Sequence, residues 1–149
     1  MATGTALFEH SPWVEARADA RPTSGDRWAD LMTVVRDATA DERLALIRAH
    51  PELAGKAAID GTLTAASAAE QASAGLDRMT PDEYARFHEL NAAYRAKFDF
   101  PFIICVRLTD KAGILTAMEA RLGNDRDAEI ATAIEQIGEI VRLRLKDLA

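Results

Sequence analysis

One run in this chain is strand-like, and it has nothing to pair with. Phe98-Asp99-Phe100-Pro101-Phe102-Ile103-Ile104-Cys105-Val106 is the densest apolar stretch, and its length suits a buried extended segment better than a helix. Pro101 limits the sheet it could join, because proline cannot donate to a ladder. With no second such run, residues 100–106 are read as a buried extended connector and the fold class as all-α.

The rest of the chain reads as helices with recognisable ends. Ser11-Pro12-Trp13 offers an N-cap residue followed by proline at the first helical position, predicting a short helix to about Ala20. Trp28, Leu31, Met32 and Val35 recur at helical spacing, giving a helix from about Asp26 to Ala38. Thr39-Ala40-Asp41-Glu42 is a capping box whose helix carries Leu44 and Ile47 inward and stops at His50-Pro51. Residues 52–63 carry two glycines and no periodicity, which predicts a long loop of a kind often functional. A further helix begins near Thr64–Ser67 and ends around Gly75. Thr80-Pro81-Asp82-Glu83 starts a central helix with Tyr84, Phe87, Asn91, Tyr94 and Phe98 on one face. Asp110 to Leu122 forms another, closed by Gly123. The last, from about Arg126 to Leu148, has Ile130, Ile134, Ile137, Val141, Leu145 and Leu148 as its stripe. Residues 1–149 are therefore expected to form a single domain, a bundle of about seven or eight helices.

Composition narrows the function classes. A net charge of −6 with no basic block argues against a nucleic-acid backbone as partner. No apolar run approaches membrane-spanning length, and no secretory signal is visible at the N-terminus. The one cysteine, Cys105, cannot make an internal disulfide and reads as a buried, reduced thiol in a cytoplasmic protein. The acidic surface and many alanines permit a homodimer without requiring one. Three scattered histidines with one cysteine give no metal-ligand spacing, so no metal is expected. There is no phosphate loop and no nucleophile elbow.

Three polar positions stand where a core should be. Pro51 pushes His50 out of the α region, so the imidazole sits at a helix–loop junction, where it can either exchange a proton near neutral pH or simply bond to a carbonyl. Taking Ile137 as zero, and about 100° per residue, Val141 lies near 40° and Arg144 near −20°, whereas Arg142 and Lys146 fall near 140° and 180°. Arg144 is thus expected to point inward, where it needs a carboxylate or a ligand. Glu70 and Gln71 lie near the start of their helix. Ser67 and Glu70 could be a local capping box, or, if the helix begins at Thr64, Glu70 could face a site; the sequence supports both readings. His10 and His88 are read as surface residues and Lys56 as a solvated loop lysine.

In order and spacing, several landmarks form a specific pattern: Arg48-Ala49-His50-Pro51-Glu52-Leu53-Ala54-Gly55-Lys56, then Leu63-Thr64 with Ser67 and Glu70-Gln71, then Leu90-Asn91-Ala92-Ala93-Tyr94. Lys97-Phe98-Asp99-Phe100-Pro101-Phe102-Ile103-Ile104-Cys105 follows, with Arg121-Leu122-Gly123-Asn124 and Leu143-Arg144-Leu145. From Trp13 onward the chain resembles the 2-oxo-4-hydroxy-4-carboxy-5-ureidoimidazoline (OHCU) decarboxylase family, which completes the conversion of urate to (S)-allantoin. The resemblance implies an all-α, cofactor-independent carboxy-lyase of purine catabolism with OHCU as its small-molecule substrate. It places the catalytic histidine on His50, its acidic partner on Glu70 and the C-terminal arginine on Arg144. Pro51, Ser67 and Gln71 would line the pocket, and backbone groups of the segment holding Phe102, Ile103 and Ile104 would contact the hydantoin-like ring. One departure is Asp99, where the family more usually has glycine; aspartate tolerates φ > 0 better than most residues.

This chemistry suits those residues. OHCU carries its own electron sink in a conjugated ring C=N, so neither pyridoxal phosphate nor thiamine is required. The protein needs only to hold the ring, stabilise developing charge and move protons. Two alternatives remain: the same fold acting on another ureido or hydantoin acid, and a non-catalytic helical module in which His50, Glu70 and Arg144 lie apart.

Overall fold

The computed structural model describes residues 7–8, 10–53 and 64–148. Among the described residues there are seven α-helices, one 3-10 helix and no strand, so the fold is all-α. The helices are α1 (Trp13–Asp19), α2 (Arg27–Asp37), α3 (Ala40–Arg48), α4 (Ala65–Ser73), α5 (Pro81–Phe98), α6 (Lys111–Arg121) and α7 (Arg126–Leu148), with the 3-10 helix at Val106–Leu108 between α5 and α6. None of the described helices is long and apolar enough to cross a membrane.

The starts of these helices follow from local chemistry. Orphan N–H groups in a first turn need acceptors. Asp26, Thr39, Thr64, Thr80 and Asp110 each supply one from the N-cap, and Thr39–Glu42 and Thr80–Glu83 are reciprocal capping boxes. The first helix differs from expectation: Pro12 itself is the N-cap residue, already in α conformation, and no side chain caps the turn. Ser11 is buried behind it.

Other ends also depart from the sequence reading. Pro51 terminates α3 at a distance: the helix closes at Ala49, and His50 turns its backbone N–H back to Ile47 O at 3.1 Å. At α4 the ambiguity over Ser67 resolves, because Thr64 is the cap and accepts from the Ser67 backbone N–H at 3.2 Å. Glu70 is thereby released from capping. Gly123 follows the C-cap Leu122 without adopting a left-handed backbone, which among the described glycines belongs to Gly25 and Gly75. Asp99 does adopt it, at φ 63° and ψ 33°, ending α5 and pairing its carboxylate with Arg48 at 2.7 Å.

The buried apolar side chains form one cluster drawn from every helix but α4, whose buried residues are the polar Ser67 and Gln71. Phe87, Leu90, Asn91, Tyr94 and Phe98 form the buried face of α5, whereas Tyr84, expected on that face, is half-buried. The rings of Phe98, Phe100 and Phe102 gather around Tyr94 with centroids 4.5 to 5.8 Å away. Each buried aromatic contributes about 1.5–3 kcal/mol through the area it removes from water. Residues 101–105 run through this cluster without regular structure, and Val106 opens the 3-10 helix. Two side chains hold that extended run: Arg121 Nη1 donates to Ile103 O at 2.8 Å, and the Cys105 N–H donates to Gln136 Oε1 at 2.9 Å.

Helix α7 packs on α2 and α3, and Trp28 Nε1 donates to Gly138 O at 2.8 Å. Ile137 and Val141 are buried as the stripe requires, but Leu148 is 53% exposed. The helix outlasts the surface it packs on, so Lys146, Asp147 and Leu148 stand in solvent.

Candidate active site

A cleft opens where the connector, the end of α3, α4 and α7 meet. Each brings a different kind of group. Beyond the end of α3 come His50 and Pro51; from the buried side of α4 come Ser67, Glu70 and Gln71; from α7 comes Arg144; Phe102, Ile103 and Ile104 supply an apolar wall. The nine residues singled out from the sequence therefore line one cleft. Lys56 lies outside the described residues, and His10 and His88 are exposed and away from it.

Arg144 is only 2% exposed, and its charge is met. Nε donates to Glu70 Oε2 and Nη2 to Glu70 Oε1, both at 2.8 Å, a bidentate pair 74 residues apart in sequence. Nη1 donates to Leu7 O at 3.3 Å, and Nη2 approaches Ser67 Oγ at 3.4 Å. A planar guanidinium paired to a carboxylate through both Nε and Nη2 is held in plane with it, so both groups are presented in fixed orientation.

His50 is 7% exposed, and its Nδ1 lies 3.1 Å from Leu46 O. A carbonyl only accepts, so Nδ1 carries the hydrogen, and a neutral ring then holds its lone pair on Nε2. The bond to a carbonyl and a role in proton exchange are thus compatible: one nitrogen fixes the ring, and the other has base character. Cys105 also lines the cleft, and burial pushes its thiol above the usual range, keeping it protonated.

Behind the wall lies a buried network that the sequence reading passed over. Glu129, fully buried on α7, accepts from Tyr94 Oη at 2.6 Å, Arg121 Nε at 2.8 Å and Asn124 Nδ2 at 2.9 Å. Burial, and then the hydrogen bond to Glu129, hold the Tyr94 hydroxyl well above its ordinary value, so it stays a donor. Because Arg121 also holds Ile103 O and lies 4.2 Å over the Phe102 ring, this network fixes the connector side of the cleft. Among the described residues, no three His, Cys, Asp or Glu side chains are grouped to hold a metal ion.

The family model for OHCU decarboxylase matches residues 1–146. The chain belongs to the OHCU decarboxylase family. It is 38% identical over 144 residues to the 2-oxo-4-hydroxy-4-carboxy-5-ureidoimidazoline decarboxylase of Haloferax volcanii, covering 95% of this chain and 83% of that protein. To the enzyme of the same name from Halalkalicoccus jeotgali it is 41% identical over 145 residues, covering 95% and 80%. A crystal structure of an OHCU decarboxylase in the presence of (S)-allantoin superposes with a TM-score of 0.72 at 20% identity, across 95% of this chain and 94% of that one, a likeness of fold. In this OHCU decarboxylase family member the nine cleft residues occupy four separate segments.

Proposed function

We propose that this protein decarboxylates OHCU to (S)-allantoin, with residues 1–149 acting as one domain. The observation that carries the reading is the convergence of His50, Glu70 and Arg144 on one cleft with an apolar wall. A non-catalytic module would not require an imidazole, a carboxylate and a guanidinium from three distant segments to meet. Buried, reduced Cys105 supports a cytoplasmic setting.

The substrate's own groups define what is needed. The bond to the carboxylate carbon breaks and CO2 leaves. The bonding pair passes toward the ring C=N, whose nitrogen takes a proton. Loss of the hydroxyl proton and delivery of one to the ureido-bearing carbon then give allantoin. His50 Nε2, with Nδ1 tied to Leu46, is the base for the hydroxyl proton. Glu70, oriented by Arg144, accepts from ureido N–H groups, while Arg144, Gln71 and Ser67 fix the ring's polar edge. Pro51, Phe102, Ile103 and Ile104 exclude water, so charge moving into the ring is stabilised by fixed dipoles rather than by bulk solvent.

The test is incubation with freshly generated OHCU, following (S)-allantoin by circular dichroism. OHCU decays unaided to racemic product, so only an enzymatic route yields a signal of one sign. Racemic product at the uncatalysed rate would end the proposal.

A further inference from the structure

A carboxylate must be recognised before it is lost, and the arginine deepest in the cleft is poorly placed to do so. Arg144 already meets Glu70 through two nitrogens and Leu7 O through the third, so the pair is close to electrically neutral. An incoming carboxylate gains little from it.

A second guanidinium stands beside the first. Arg107, in the 3-10 helix, lines the same cleft and also an adjoining hollow whose walls include Glu70, Arg144, Ser73 and Asp147. The 3-10 helix packs against α4, the helix that carries Glu70, and its turn is closed by Leu108 N–H to Cys105 O at 3.1 Å. Arg107 follows buried Cys105 and Val106 in the chain, and its side chain is 30% exposed. That head is held in a fork by Asp147, at 2.6 and 3.2 Å, from the solvent-exposed last turn of α7. The hydrogen bond to Asp147, and beyond it the charges of Asp147 and Glu70, hold the Arg107 guanidinium firmly protonated. Asp147 is 57% exposed, and a pair so open to water and salt is readily exchanged.

Resting on the decarboxylase reading, we propose that Arg107 receives the carboxylate of the substrate, which displaces Asp147 from the same two-pronged geometry at the mouth of the cleft. Arginine's planar fork fits a carboxylate on both oxygens, and Asp147 acts as the stand-in that keeps the fork aligned. The role follows the charge. The ion pair forms in the ground state and persists into the transition state, where the departing carboxylate still carries charge, and it dissolves only once CO2 has left neutral. Arg107 therefore contributes to substrate capture and not to the chemical step. Product, lacking the carboxylate, is not retained by it.

Steady-state kinetics on freshly generated OHCU, read by circular dichroism, test this with wild type, Arg107→Gln, Arg107→Lys and Asp147→Asn. Arg107→Gln should raise KM by roughly tenfold to a hundredfold, the worth of a charge-assisted hydrogen-bond pair, with kcat within about twofold. Arg107→Lys should recover part of the loss, and Asp147→Asn should lower KM by about two- to fivefold, since it weakens the competitor. Inhibition by (S)-allantoin should be unchanged in Arg107→Gln, a result that a merely distorted cleft would not give. An unchanged KM in Arg107→Gln, or a loss confined to kcat, overturns the assignment. If that variant does not fold, an unchanged or raised KM in Asp147→Asn overturns it alone. Inactive wild type would instead remove the decarboxylase reading and this role with it.

Discussion

The hydrogen bond from His50 Nδ1 to Leu46 O sets the tautomer of a neutral ring, and it comes from the turn that Pro51 breaks. His50→Ala should leave the far-ultraviolet circular dichroism and the melting temperature nearly unchanged while abolishing enzymatic formation of (S)-allantoin; full activity in that variant would remove His50 from the mechanism. Arg144→Ala should lower kcat/KM far more than Arg142→Ala, because Arg142 is exposed and Arg144 holds Glu70 through two hydrogen bonds. Equal effects would mean that the guanidinium of Arg144 has no part in the reaction. The inward direction of Arg144 was readable from helical phase alone. Its partner was not readable from helical phase; only the family resemblance put Glu70 and Arg144 in one pocket. Glu129 was missed for a related reason: it lies on the flank of the apolar stripe, and its three donors arrive from other elements.

Segments with strong local chemistry were the legible ones. Capping boxes at Thr39 and Thr80 act within four residues, so the sequence suffices to place them. Glu42 does more than cap. A hydrogen bond from Arg17 first, and the Thr39 backbone N–H second, hold its carboxyl at about 2, against an ordinary 4.5. Because the folded value is depressed, this contribution to stability is complete above pH 4.5 and is lost as the pH falls toward 2. Thermal melts of wild type and Glu42→Gln should therefore differ at pH 7 and converge by about pH 2; a constant gap would refute the tie between α1 and α3. The connector shows the limit of local reading. Its apolar run announced burial, but the anchors at Ile103 and Cys105 come from Arg121 and Gln136 on helices not yet formed when that run is read. Tyr94→Phe, which removes one donor to buried Glu129, should lower stability by about 1–3 kcal/mol in urea titrations.

The single apolar cluster makes stability and function separable by position. Phe87 is fully buried and does not line the cleft. Phe87→Ala should cost about 3–5 kcal/mol in global unfolding while leaving KM of the folded fraction unchanged. Helix number and the face of α5 follow from periodicity, whereas Leu148 shows that periodicity alone does not tell where a helix runs out of neighbours. The bond from Arg144 to Leu7 O has a consequence in time. It joins positions 137 residues apart, and Leu7 and Phe8 are themselves buried. A polypeptide trimmed to begin at Trp13 would retain every helix named above yet lose the carbonyl that seats the guanidinium. During synthesis, too, Leu7 leaves the ribosome early and Arg144 late, so a nascent chain can gather much of its core while the catalytic groups stay unassembled. A chain that has not yet reached residue 144 lacks the guanidinium that holds Glu70.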